Sequence, residues 1–345
     1  MKRWLLPGLL PVLLLALAPQ GSAQPRSPGG SQTYMQLNVL IDAGQPRRAA
    51  PVFRTALAKN PLDIEARAGL GRALAAMNRC DEAAIHLRGA WPTEAWTAKA
   101  ALSDAICHTR NGRASEARVA FEEALAMNPA LMPARQRYTR FLIEQGDLEL
   151  AEEQIAQVQE IAPNTWRSPL LALELAVATG DRPWQHLHEL QAEVEGDPTT
   201  QATQSLRYSE GLLWLDAGDP DQAERLLAEA VGLDTSIEPI ILWRAEALRR
   251  AGFVDDAHAV AWRRTLRDSP LLHPFRARVL VDEGDIEGAR AELALAPPNH
   301  AETLATAWYI AHITGEPTEV WSDAWLATPH PPDRNLLLLV PLESS

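Results

Sequence analysis

The chain has 345 residues, a formal net charge of −13 at pH 7 and 46% hydrophobic residues, with two cysteines and eleven tryptophans. An acidic balance of this kind argues against general binding to nucleic acid or anionic lipid, since both select clustered positive charge.

Residues 1–23 read as a signal peptide. Lys2 and Arg3 precede an apolar run from Trp4 to Ala18, and small Gly21 and Ala23 sit at the −3 and −1 places of a cut before Gln24. A transmembrane anchor is the competing reading, but the run is broken by Pro7, Gly8 and Pro11 and is shorter than the roughly 20 apolar residues a span needs. Cleavage leaves residues 24–345 with a net charge of −15 and no second hydrophobic span. No cysteine lies near the cut to carry a lipid, and no Asn begins an N-x-Ser/Thr acceptor. Only Lys2, Lys59 and Lys99 are lysines among 32 basic residues, an arginine bias typical of GC-rich bacterial genomes. The expected location is a bacterial periplasm.

Beyond Gln24 the chain repeats itself. PRRAAPVFRTALAKNP (46–61) returns as ASEARVAFEEALAMNP (114–129), and CDEAAIHLRGAWPTEA (80–95) lies midway, 34 residues from each. Gly44, Asn78, Gly112, Gly146, Gly180, Gly218, Gly252, Gly284 and Gly315 follow helical patterns at spacings of 34, 34, 34, 34, 38, 34, 32 and 31. Such positions want left-handed backbone just past a helix end, which Gly adopts without penalty and Asn tolerates. Nine helix–turn–helix units are predicted. Asp147, Asp181, Asp219 and Asp285 are expected N-caps of second helices, and Pro61, Pro129, Pro163 and Pro198 mark helix ends.

Five residues past each turn stand Ala49, Ala83, Ala117, Ala151, Gln185, Ala223, Ala257, Ala289 and Val320. Four further on come Phe53, Leu87, Phe121, Ile155, Glu189, Leu227, Ala261, Leu293 and Ala324. This spacing puts both columns on one helix face, with small residues where paired helices approach most closely.

The period, the small-residue columns, the turn Gly and the terminal Pro resemble the tetratricopeptide repeat family over roughly residues 30–327. The family's Leu-Gly pair appears intact only as Leu70-Gly71, and its early Trp is missing from the matching column. The resemblance implies an all-α, right-handed α-solenoid of about nine units. The fifth unit departs from the pattern, with Gln185 and Glu189 in apolar columns and four extra residues. There Leu187, Leu190 and Val194 suggest a rotated helix, and EGDPTTQATQ reads as a loop. The expected organisation is therefore a sub-stack over 24–180, an irregular junction over 181–203, a sub-stack over 204–327 and a C-terminal tail over 328–345. The Leu336–Leu339 run of that tail is expected to fold back over the last helix pair, which has no following neighbour.

Catalytic motifs are missing from the sequence, and no enzyme activity, cofactor or metal site is expected. His186 and His188 are two residues apart and diverge on a helix. Asp104 and His108 are four apart and can meet inside a packed seam. Cys80 and Cys107 fall at places that stacking makes neighbours, so an oxidising compartment allows a disulfide between them, but sequence does not fix their separation.

The family resemblance implies that first helices line a concave face and that the usual task is holding a partner protein or peptide. Carried onto units two to four, its ligand-facing positions include Arg72, Lys99, Arg110 and Arg140, with Glu65 and Glu144 as the acids. A basic strip receiving an acidic or carboxylate-bearing segment is the expectation. The whole is read as a periplasmic protein-binding scaffold of an envelope assembly or export complex. A glycan-binding subunit is the alternative, and only Tyr34, Tyr208 and Tyr309 stand where it would need aromatic platforms.

Overall fold

The computed structural model describes residues 30–326 apart from 95, 197, 234–237, 264–271 and 299. The expected signal peptide and C-terminal tail lie outside the described residues. Eighteen helices form nine antiparallel pairs, and no strand occurs among the described residues. The pairs are α1 (Gly30–Asp42) with α2 (Pro46–Lys59), α3 (Ile64–Ala76) with α4 (Cys80–Ala90), and α5 (Ala98–Arg110) with α6 (Ala114–Met127). Next come α7 (Met132–Gln145) with α8 (Leu148–Ile161), α9 (Arg167–Thr179) with α10 (Pro183–Gly196), and α11 (Thr200–Asp216) with α12 (Pro220–Leu233). The last three are α13 (Glu238–Arg250) with α14 (Val254–Ala261), α15 (Leu272–Asp282) with α16 (Ile286–Leu293), and α17 (Ala301–Thr314) with α18 (Glu319–Leu326).

All nine turn positions read from the sequence have positive φ, from 62° at Asn78 to 86° at Gly252. In eight of the turns the next residue's N–H reaches back to the last helical turn, as in Asp147 N to Leu142 O at 2.9 Å. This 6→1 bond closes the helix end and fixes the entry of the next helix. The small-residue column explains the pairing. Ala49, Ala83, Ala117, Ala151, Ala223, Ala257 and Ala289 are all 0% exposed. Gly71 obeys the same demand from the other side, since a Cβ there would stand 2.8 Å from Leu87 Cγ and 3.1 Å from the Leu87 backbone nitrogen.

Two second helices break the columns, and both start late. Seven of the nine begin two residues after the turn position, but α10 begins three after Gly180 and α18 four after Gly315. In the fifth turn Arg182 also has positive φ (50°), and no N–H from Asp181 returns to Ala176. Each residue of delay turns a helix by about 100°. Thus Gln185 and Glu189 face solvent while Leu187, Leu190 and Val194 are buried, and in α18 Val320 is exposed while Trp325 is buried. The stretch EGDPTTQATQ is not one loop. The described helices α10 and α11 reach to Gly196 and begin at Thr200, leaving a short connection. A cluster of Leu170, Leu173, Leu187, Leu190, Leu206 and Leu213 packs across this junction.

The capping expectation holds at two of four sites. Asp219 and Asp285 accept from Gln222 N and Gly288 N, each at 2.9 Å. Asp147 instead gives its carboxylate to Arg118, and Asp181 pairs with Arg182.

First helices pack on one another from unit to unit, whereas second helices pack chiefly on their partner and on the next first helix. The first helices therefore form the tighter, inner layer of the curve, and their free sides line its concave face.

Candidate functional site

The column six residues before each turn runs along this inner layer: Asn38, Arg72, Ile106, Arg140, Glu174, Leu212, Glu246, Arg278 and Tyr309. Polar neighbours in it bond to each other across units. Arg72 donates to Asn38 Oδ1 at 2.6 Å and to Asp42 Oδ1 at 2.7 Å. Arg140 grips Glu174 with Nε and Nη2, at 2.8 and 2.9 Å. Arg278 meets Glu246 at 3.1 Å. The column is thus an inter-repeat ladder as well as a surface.

Each member of the expected basic strip has a partner within the chain. Arg72 is buried and paired with Asp42, and Lys99 Nζ shares the same carboxylate at 2.5 Å. Arg110 donates to the Ala75 carbonyl at 3.0 Å. Arg140 is committed to Glu174, whose charge raises its pKa. The neutralising acids come from units one and five, just beyond the three units over which the charge excess stands out.

What the groove does leave open lies one residue off the expected stripe. Arg137 of α7 is exposed and forms no hydrogen bond or ion pair among the described residues. Its pKa is lowered to about 10, first by desolvation between the repeats and then by repulsion from Arg110 and Arg140. One helical face carries Arg137, Arg140 and Glu144 at i, i+3 and i+7. Glu144 is also exposed and takes no hydrogen bond or ion pair there. Desolvation pushes its carboxyl up to about 7, with Arg140 opposing and Glu174 assisting. Water reaches both groups, yet the flanking repeats fill most of the space around them.

A second constellation, unrecognised in the sequence, lies towards the C-terminal end. Glu246 is 2% exposed and accepts from Arg249, Arg250 and Arg278. Burial alone would raise its pKa, but the three guanidinium groups hold it well below the usual carboxylate range. Arg278 extends the network to Glu302 and Thr306, and Arg249 extends it to Asp282. The clue available in the sequence was Glu246 and Arg278 in successive rows of one inner column.

The remaining candidates are structural. Cys80 and Cys107 are joined in a disulfide with Cα atoms 5.2 Å apart, which ties α4 to α5 and leaves Cys107 no thiol. Asp104 and His108 pair at 3.2 Å beside it. His186 pairs with Glu189, and His188 contacts the Trp184 carbonyl. Tyr34 and Tyr309 donate to Asp63 and Asp282, and Tyr208 packs against the core between α11 and α13. Trp214 and Trp308 pack partly buried against the core, in keeping with a filling role.

No curated protein matches the sequence. Among solved structures, a tetratricopeptide repeat protein from Parabacteroides merdae is 17% identical, with 86% of this chain and 99% of that one covered at a TM-score of 0.36. Yeast Tom70 is 13% identical, with 85% and 66% covered at a TM-score of 0.53. The Cut9-Hcn1 hetero-tetramer of APC/C gives 15% identity, 87% and 56% coverage and a TM-score of 0.50. The last two carry the fold likeness, and they carry no more than that. Residues 34–96 and 108–173 each match a family model described as tetratricopeptide repeat. Repeats of this kind serve in general as scaffolds for protein–protein interaction. With nine such helix pairs, the small-residue column and two matched segments, the chain belongs to the tetratricopeptide repeat family.

Proposed function

We propose that the chain is an exported, periplasmic protein-binding scaffold of an envelope assembly or export complex, and that its concave face holds an extended partner segment bearing an acidic side chain at Arg137. The observation that carries this reading is the exposed Arg137, unpaired among the described residues, in a groove whose other named cations are internally matched. An arginine already partly desolvated gains more from a carboxylate than one in open water, and it can grip one bidentately. Export is supported by the basic and apolar start of the sequence, and by a disulfide of the kind that persists in oxidising compartments. The paired or packed tyrosines offer no open aromatic platform, so no observation favours the glycan reading.

The test is binding of extended acidic, neutral and basic peptides, followed by fluorescence anisotropy at low and high salt. Acidic peptides should bind best and weaken with salt. A single exposed charge contact is worth about 0.2–1 kcal/mol, so reversal is more informative than truncation. Arg137→Glu should weaken binding about fivefold or more, while Arg88→Glu on the outer helix α4 should not. Binding indifferent to Arg137→Glu and to salt would sink the groove assignment. Export is tested separately: a periplasmic chain beginning at Gln24 is expected, and a full-length cytoplasmic chain with reduced cysteines contradicts it.

A further inference from the structure

The outer face of the stack, built from second helices, is acidic except at one helix. Helix α2 carries Arg47, Arg48, Arg54 and Lys59, all exposed, and no acid. Each of the other second helices has more acidic than basic residues within its bounds. Helix α8 is the extreme case, with Glu149, Glu152, Glu153 and Glu160 exposed and no base. These helices belong to units one and four, and Arg47 and Glu149 stand at the same place, three residues past Gly44 and Gly146. Arg54, Lys59, Glu149, Glu153 and Glu160 form no hydrogen bond or ion pair among the described residues. Between α2 and α8, the helices α4 and α6 turn Ile85 and Val119 outward, 71% and 62% exposed and again at equivalent places. The face thus runs from unmatched base, across an apolar centre, to unmatched acid.

We infer that this face is a dimer interface, on which two copies of the chain meet about a two-fold axis passing between α4 and α6. A half-turn about that axis, perpendicular to the face, lays α2 antiparallel on the partner's α8 and α4 antiparallel on the partner's α6. Antiparallel pairing sets the start of one helix against the end of the other. Arg47 then faces the partner's Glu160, Arg54 faces the partner's Glu153, and Lys59 faces the partner's Glu149. The symmetry makes each pair twice, as an isologous contact requires. Shape agrees with charge. The face is convex, so two copies touch first at the axis, where Ile85 and Val119 leave water together. They separate towards the ends, where the side chains are long Arg, Lys and Glu. Four helices up to about 21 Å long and about 10 Å apart offer a footprint of about 800 Å² per copy, the standard size of a specific interface. Each copy is acidic as a whole, but the Debye length is about 8 Å at physiological salt, so contact pairs outweigh the more distant repulsion. The inference concerns the outer face and is independent of the concave groove.

The experiment measures mass in solution by light scattering, for the full chain and for two charge-reversed variants. One variant carries Arg54→Glu and Lys59→Glu, the other Glu149→Lys and Glu153→Arg. All four positions are exposed, so both variants should fold, and circular dichroism checks that they do. The parent is expected as a dimer at micromolar concentration, and each variant alone should dimerise about tenfold or more weakly. Mixing the two variants should restore a dimer, because at both contacts an acidic helix then meets a basic one. A monomeric parent, variants that dimerise as well as the parent, or a mixture that stays monomeric each overturns the inference. The second measurement changes no charge. Benzoylphenylalanine in place of Ile85, in an equal mixture of unlabelled and heavy-isotope protein, should crosslink light chains to heavy chains within α6. Crosslinks confined to single chains overturn the inference.

Discussion

Glu246 and Arg278 sit 32 residues apart in the sequence and 3.1 Å apart in the stack, with side chains 2% and 1% exposed. Each occupies the same inner column of its unit, so the repeat itself brings the opposite charges face to face. Glu246 is the hub, because Arg249 and Arg250 converge on it as well.

Removing such a hub strands buried cations. Glu246→Ala should destabilise the fold by about 3–5 kcal/mol, the usual cost of deleting one partner of a buried ion pair. Urea denaturation followed by circular dichroism checks it, and a loss below about 1 kcal/mol contradicts it. The pH dependence follows from sign. Glu246 is held well below its ordinary value in the fold, so the unfolded chain takes up its proton first as pH falls. Its contribution is complete above about pH 5 and drains away below that. The Glu246→Gln variant should therefore show a shallower acid limb than the parent.

Ala117→Leu should cost about 1–3 kcal/mol, because Ala117 is 0% exposed where α5 and α6 approach closest. Ala126 on the same helix is exposed, and the same substitution there should be nearly neutral. Equal shifts in melting temperature for the two variants would show that the close-approach column has been misassigned.

The backbone was far more legible than the charges. Turn glycines and the alanine column are dictated locally, by a left-handed residue after each helix and by a helix pair that tolerates no bulk. Both can be read one unit at a time. The ladder cannot, because Arg140 finds its carboxylate in Glu174, 34 residues on, and Arg72 finds its own in Asp42, 30 residues back. A charge excess counted over units two to four cuts the ladder at both ends. Arg137 was missed for a related reason: it stands one residue beyond the family's usual ligand stripe. The late start of α10 was visible only as its consequence, Gln185 and Glu189 in apolar columns, and that of α18 left no such mark, since Val320 and Ala324 are apolar.

The Cys80–Cys107 bridge closes a loop of 27 residues between α4 and α5. Cross-linking a loop of that size removes entropy from the unfolded chain worth about 3–4 kcal/mol. A Cys80→Ser, Cys107→Ser variant should be destabilised by that order under non-reducing conditions. Adding reductant should lower the melting temperature of the parent towards that of the variant and leave the variant alone. If the parent is indifferent to reductant, the bridge adds nothing to stability.

Glu144 gives a pH dependence of the opposite sign to Glu246. Its carboxyl is pushed up to about 7 in the folded groove, chiefly by desolvation, so the fold holds a proton that the unfolded chain gives up near 4.5. Between those values stability falls as pH rises, because the folded state binds more protons than the unfolded one. Above about pH 7 the ionised side chain weighs on the fold in full. Since Glu144 is open to water, screening makes that penalty smaller than the shift alone implies. Glu144→Gln cannot ionise and should unfold at higher urea than the parent at pH 8, while matching it at pH 4. A partner carboxylate at Arg137 would add negative charge beside Glu144 and favour its proton further. Acidic peptide should therefore bind the parent more tightly at pH 6 than at pH 8, and Glu144→Gln should flatten that difference. A parent and variant with the same pH profile in both assays would show that Glu144 titrates as an ordinary surface carboxylate.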